Sequence, residues 1–124
     1  MGGKVLIVDD LPDNVFLLKE VVSLLGFNAE SKKNGKEALQ ALETTSYDIV
    51  FMDLEMPIMN GFEATEYIRT KCQPPLRDIP IFAISAHPKY FFDENNKLVN
   101  FTDYVSKPYT FVKIKTLLVK YGLL

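Results

Sequence analysis

Ile49-Val50-Phe51-Met52, four consecutive apolar residues closed by Asp53, restrict the fold of this chain more than any other stretch. An apolar run without polar alternation describes a strand buried on both faces. Such a strand needs one layer of helices above its sheet and another below. Asp53 is no packing residue, so its place at the end of a buried strand asks for a chemical reason. Pro57 and Gly61 then shape a loop before a helical pattern starts at Phe62. In open α/β sheets the carboxyl edge of the strands is where sites are built.

The rest of the chain repeats this unit. Lys4-Val5-Leu6-Ile7-Val8 reads as strand one and ends in Asp9-Asp10. Val15, Leu18, Val22 and Leu25 recur every three or four residues, which predicts helix one over 13–25, stopped by Gly26. Strand two, 27–31, is short and mixed, as an outer strand is. Asn34-Gly35 turns the chain into a second helix with Ala38, Leu39, Ala41 and Leu42 as its stripe. Helix three is predicted over 61–71 with Phe62, Thr65 and Ile68 facing inward, and Pro74-Pro75 marks a loop over 73–78. Strand four is placed at 79–84, ending at Ser85, and strand five at 101–105, ending near Lys107-Pro108. Between them, position alone puts a helix in 88–100, although Tyr90-Phe91-Phe92 and Asn95-Asn96 are mediocre helix formers. The last helix is predicted over 110–121 on Phe111, Ile114, Leu117, Leu118 and Tyr121.

Strand and helix thus alternate five times. The expected fold is α/β, a doubly wound, five-stranded parallel sheet of flavodoxin-like (βα)5 type. Right-handed crossovers leave few topologies, and the order 2-1-3-4-5 is the common one. No linker divides the 124 residues, so 1–124 is read as one domain. A net charge of −2 gives no general attraction to nucleic acid or anionic lipid. The single cysteine, Cys72, cannot make an internal disulfide. With no signal-peptide pattern and no bilayer-spanning run, this places the expected location in the cytoplasm.

In that topology strands one and three are neighbours, and Asp9, Asp10 and Asp53 meet at one sheet edge. Three carboxylates repel one another, and burial raises the cost. A shared proton or a cation relieves it. A hard divalent ion fits best, and Mg²⁺ is the usual one, because it is held by few carboxylates together with water and phosphate oxygens. Ser85 and Lys107 sit on the same edge. A cation, an ammonium and a hydroxyl around one carboxylate can neutralise and orient a phosphoryl group. Asp53, central on the edge, is the candidate nucleophile.

Val-Asp-Asp at 8–10, Asp-Leu-Glu-Met-Pro-Ile-Met-Asn-Gly at 53–61, Ser-Ala at 85–86 and Lys-Pro at 107–108 together resemble the receiver domain of two-component response regulators. The resemblance covers nearly the whole chain and supplies part of the case for the strand order. It implies a phosphorelay module, not an enzyme acting on other molecules. The phosphoryl donor would be a phosphohistidine of a sensor histidine kinase or a histidine phosphotransfer protein. It assigns Asp53 as phosphoacceptor, with Asp9, Asp10, Asp53 and the Glu55 carbonyl as Mg²⁺ ligands. Asp9 would act directly or through the ion's water shell. It also assigns Ser85 and Tyr104 as the switch pair, Lys107 as the phosphate-binding lysine, Lys107-Pro108 as a cis peptide, and Glu55 and His87 as residues that tune the phosphoryl lifetime. The 90–121 face would carry output, toward a partner or a second copy. Asn100-Phe101 departs from the Ala-Gly usual before strand five. The run from Met59 to Arg69 resembles receivers of hybrid sensor histidine kinases.

Two enzyme-class or carrier readings fit less well. An aspartyl phosphohydrolase would carry a second acid in an Asp-x-Asp arrangement, where this chain has Glu55. A flavin carrier would need a hydroxyl-rich phosphate loop after strand one, where Asp9-Asp10 repels phosphate. A receiver-like binding module that is never phosphorylated is the third alternative, and retention of all five site residues speaks against it.

Overall fold

Alternate residues of the first strand serve two different cores. In β1 (Lys4–Val8), Val5 and Ile7 join one buried cluster, while Leu6 and Val8 join another. This is the period of two that a strand imposes when helices cover both faces. The computed structural model describes residues 3–87 and 98–124. After β1 come α1 (Pro12–Leu24), β2 (Asn28–Lys32), α2 (Gly35–Thr44), β3 (Ile49–Asp53) and α3 (Gly61–Lys71). A 3-10 turn over Leu76–Asp78 leads to β4 (Ile81–Ser85), then β5 (Asp103–Ser106) and α4 (Phe111–Lys120).

All strand pairs are parallel, as the alternation predicts, and the order is β2-β1-β3-β4-β5, the one expected from the common topology together with the resemblance. One face carries Ile49 and Phe51 of β3 and Phe82 and Ile84 of β4, covered by Leu18 and Val22 of α1 and Ile114 and Leu118 of α4. The other carries Val50, Met52 and Ile81, covered by Leu39 and Leu42 of α2 and Ala64 and Ile68 of α3. β3 is buried along its whole length. A large side chain such as Phe51, fully buried there, contributes about 1.5–3 kcal/mol through the surface it removes from water.

Helix α3 has the bounds the sequence predicts, because its start is chemically marked. The Asn60 side chain accepts from the Glu63 N–H, and the Glu63 carboxylate accepts from the Asn60 N–H. A cap of this kind stabilises a helix by about 1 kcal/mol. Its inward face is Ala64, Thr65 and Ile68; Phe62 is only half-buried and meets Phe101 edge-on, ring centres 6.0 Å apart.

Several boundaries move. α1 and β2 are each displaced by one residue from the predicted spans. β4 starts at Ile81 and not 79, since Pro80 has no N–H to give the ladder. β5 starts at Asp103 and not 101. At that level the Thr102 hydroxyl stands in for a strand carbonyl by accepting from the Ile81 N–H at 3.1 Å. Ala41 is only partly buried on α2. Phe111 and Tyr121, predicted to lie on the inner face of the last helix, are 40% and 36% exposed, although the Tyr121 ring still meets the buried Phe82 ring, centres 5.6 Å apart. Tyr121 lies past the helix end and donates its hydroxyl to Thr102 O and Asp103 Oδ2. Leu98–Asn100 is a turn. The helix expected in 88–100 and its Phe91 and Phe92 fall otherwise outside the described residues, as does the first part of the 90–121 face.

Candidate functional site

Strand register brings the acids together. Val8 pairs with Met52, Asp53 with Ile84, and Ser85 with Ser106, so the carboxyl ends of β1, β3, β4 and β5 finish at one level. Asp9, Asp10 and Asp53 each place a carboxylate oxygen within 4.8 Å of the others. Asp9 and Asp53 are buried at 2% and 4% exposure, whereas Asp10 is exposed. Asp9 Oδ1 accepts from the Leu11 N–H at 3.0 Å, and Asp53 Oδ1 from the Glu55 N–H at 3.2 Å. Asp9 Oδ2 is fully buried, with no partner of hydrogen-bond geometry among the described residues. Converging hard oxygen donors from three carboxylates, one of them open to water, are what a small divalent cation takes.

Gly61 is required here by close approach. A Cβ at this position would lie 2.2 Å from the carbonyl oxygen of Asp53. Only a residue without a side chain lets α3 start directly against the strand that carries the acid. Between them the loop contains Ile58 at φ 70, with its side chain 78% exposed. That is a costly conformation for a β-branched residue.

Lys107 enters from the loop after β5. Its N–H donates to Ser85 O at 3.0 Å, and the Lys107-Pro108 peptide is cis, as expected. Lys113 steadies this loop, its ammonium donating to Ser106 Oγ at 3.2 Å and to Pro108 O at 3.1 Å. The Lys107 ammonium lies 3.4 Å from Asp53 Oδ2 and 3.2 Å from Asp9 Oδ2. The Asp53 contact has hydrogen-bond geometry; the shorter one to Asp9 is a charge contact off that angle, which is why Asp9 Oδ2 keeps an unfilled acceptor.

One buried ammonium does not balance two buried carboxylates. Burial first, and the Asp9 charge second, raise the Asp53 pKa to about 6, while Lys107 and the Glu55 N–H pull it back. The accessible surface of Asp53 is nearly nil, so desolvation is the leading cause. A carboxylate in this condition gains from any added cation.

Ser85 is 2% exposed, and its hydroxyl accepts from the His87 N–H at 2.9 Å. His87 Nε2 stands 3.6 Å from Glu55 Oε1, so the two predicted flanking residues face each other, both about half exposed. Tyr104 is 40% exposed on β5. Among the described residues, sequence reasoning missed Tyr109. It is 4% exposed, and its hydroxyl is fully buried with no partner of hydrogen-bond geometry. Burial above all, then the charges of Asp9 and Asp53, push its phenol pKa upward. An aromatic residue two places after the site lysine was the available signal.

The family model for the response regulator receiver domain matches residues 5–119. Among curated relatives, histidine kinase 5 of Arabidopsis thaliana is 28% identical over 95% of the chain, and hybrid signal transduction histidine kinase L of Dictyostelium discoideum 32% identical over 97%. The chain spans only 15% and 7% of their lengths. Among solved structures, the receiver domain of the sensor histidine kinase PA1611 of Pseudomonas aeruginosa, with magnesium in its active-site cleft, superposes with TM-score 0.85 at 29% identity, covering 98% of both chains. The response regulator TrrA of Thermotoga maritima, in complex with Mg²⁺ and BeF, gives TM-score 0.85 at 33% identity over the whole of both chains.

Proposed function

Because this chain belongs to the response regulator receiver domain family, we propose that its Asp53 accepts a phosphoryl group in a Mg²⁺-dependent phosphorelay. The observation that carries this reading is the convergence on Asp53. Two further carboxylates lie within 4.8 Å, and the Lys107 ammonium is in hydrogen-bond contact with Asp53 Oδ2. The family is a signalling phosphoacceptor, and we take residues 1–124 as one such domain. Its chemistry is confined to forming and losing its own aspartyl phosphate.

The donor we infer is a phosphohistidine of a sensor histidine kinase or histidine phosphotransfer protein, in the cytoplasm. TrrA has been captured in complex with the histidine kinase ThkA, and its chain in that complex is 32% identical to this one. A carboxylate oxygen of Asp53 attacks phosphorus, the N–P bond breaks, and the donor imidazole leaves as the neutral ring, its proton supplied by solvent. Asp9, Asp10, Asp53 and the Glu55 carbonyl would hold Mg²⁺, which when bound offsets charge on the phosphoryl oxygens. Lys107, already at Asp53 Oδ2, moves its contact to a phosphoryl oxygen. Ser85 Oγ, which accepts from the His87 N–H, turns to donate its own O–H to the same group. Glu55 and His87 flank the path of hydrolytic water and set how long the acyl phosphate lasts.

The output is a population shift. When Ser85 turns to the phosphoryl group, Tyr104 on the adjacent strand turns inward, and the face formed by β5 and α4 changes. That face is where we place an output partner or a second copy.

Intact-mass measurement after incubation with acetyl phosphate and Mg²⁺ tests this. Wild type gains one phosphoryl group, and Asp53→Asn gains none. Equal labelling of both overturns the assignment.

A further inference from the structure

Beside the acid cluster, two buried polar atoms have no partner of strict hydrogen-bond geometry among the described residues: Asp9 Oδ2 and Tyr109 Oη. Buried polar atoms in a native protein are nearly always paired, so two in one place call for a joint explanation. Their roles are complementary. A carboxylate oxygen accepts only, and a phenol at neutral pH carries a proton to donate. Their placement agrees. Tyr109 belongs to the core on the α1 and α4 side of the sheet, with Val5 and Ile7 of β1, and Asp9 continues that odd-numbered row. The Asp9 carboxylate also acts on the phenol as charge and as hydrogen-bond acceptor.

We propose that Tyr109 is a positioning residue for metal binding, its hydroxyl donating to Asp9 Oδ2 and fixing the orientation of that carboxylate from behind. The proposal rests on the Mg²⁺ reading of the acid cluster. Asp9 is then held on three sides: by the Leu11 N–H on Oδ1 and by Lys107 and Tyr109 on Oδ2. Lys107 contacts Asp53 as well and shifts to the phosphoryl group when one is present. The phenol has no second duty, so it keeps Asp9 aligned when the ammonium moves. Partners behind a metal ligand fix its orientation, and their loss costs 10–100-fold in affinity.

The first test is calorimetric Mg²⁺ binding to the purified chain, which needs no activity readout. Tyr109→Phe keeps the ring and removes only the donor. Its Mg²⁺ dissociation constant is expected to rise about tenfold. In labelling with acetyl phosphate, the Mg²⁺ concentration for half-maximal rate rises by the same factor, while the rate at saturating Mg²⁺ changes little. In an Asp9→Asn background the same change has almost no further effect, since the pair acts as a unit. If Tyr109→Phe binds Mg²⁺ as wild type does, or its effect is undiminished beside Asp9→Asn, the proposal is overturned. If wild type itself binds no Mg²⁺, the metal reading falls and takes the proposal with it. A melting curve of metal-free Tyr109→Phe like that of wild type shows that the lost affinity is local.

Discussion

Lys107 holds its ammonium 3.4 Å from Asp53 Oδ2, from a loop whose own N–H is tied to the backbone of Ser85. The acid and the cation therefore belong to strands at different positions in the sheet, joined through the strand that carries the hydroxyl. Anything that moves the end of β4 moves the charge balance at Asp53.

Removing the cation should be costly in the metal-free protein. Lys107→Met leaves Asp9 and Asp53 buried with no positive charge beside them. Breaking a buried pair by deleting one partner costs about 3–5 kcal/mol, and partial access of solvent brings the expectation to about 2–3 kcal/mol. Urea denaturation at neutral pH with a chelator present measures it. Stability equal to wild type would show that the contact is energetically empty.

Stability should also depend on pH through Asp53. Its carboxyl is raised to about 6 in the folded chain, from an ordinary value of 3.8, first by burial and then by Asp9. The folded state therefore binds this proton more tightly than the unfolded state does. The contribution is fully present below about pH 4 and is lost as pH rises through about 6. Measured without metal, the melting temperature of wild type should fall relative to that of Asp53→Asn across this range. Asp9→Asn removes one of the two causes and moves the step to lower pH. A difference that stays flat with pH would contradict the burial of a charged Asp53.

Mg²⁺ should reverse the penalty. An ion that binds only the folded acid cluster stabilises it by about 1.4 kcal/mol at ten times its dissociation constant. Thermal unfolding with increasing Mg²⁺ at neutral pH reads this as a rising midpoint. The rise should be absent in Asp53→Asn paired with Asp10→Asn.

Ile58 offers a gain in place of a loss. Its φ of 70 strains a β-branched residue whose side chain is mostly in water. Asn tolerates that conformation, so Ile58→Asn should raise stability by about 1 kcal/mol. Chemical denaturation checks it, and a loss of stability would mean that the exposed isoleucine makes contacts worth more than its strain.

These residues also show what could be read from the chain alone. β1 and β3 were legible because runs of four apolar residues ending in acids have few other meanings. The acids, Ser85 and Lys107 followed from the strand ends that carry them, since parallel connectivity puts all such ends on one edge. The start of α3 was legible because Pro57 and Gly61 shape the loop before it; the Asn60 cap that fixes it came only with the structure. Ile58 was not, because its backbone is set by the loop against its own preference. Phe111 was misassigned because periodicity gives the face of a helix but not how deeply its first turn is buried, whereas Tyr121 does meet Phe82, from just past the helix end. Tyr109 was missed because an aromatic residue after a loop reads as core packing; only the burial of its hydroxyl beside Asp9 gives it another meaning.

The central claim is that the phosphoryl group goes to Asp53, and the most direct measurement is chemical trapping of the acyl phosphate. Borohydride reduces an aspartyl phosphate to homoserine, which peptide sequencing by mass spectrometry then locates. After reaction with acetyl phosphate and Mg²⁺, homoserine is predicted at position 53 alone. Homoserine at position 9 or 10, or a phosphorylated chain with none at 53, would contradict the account.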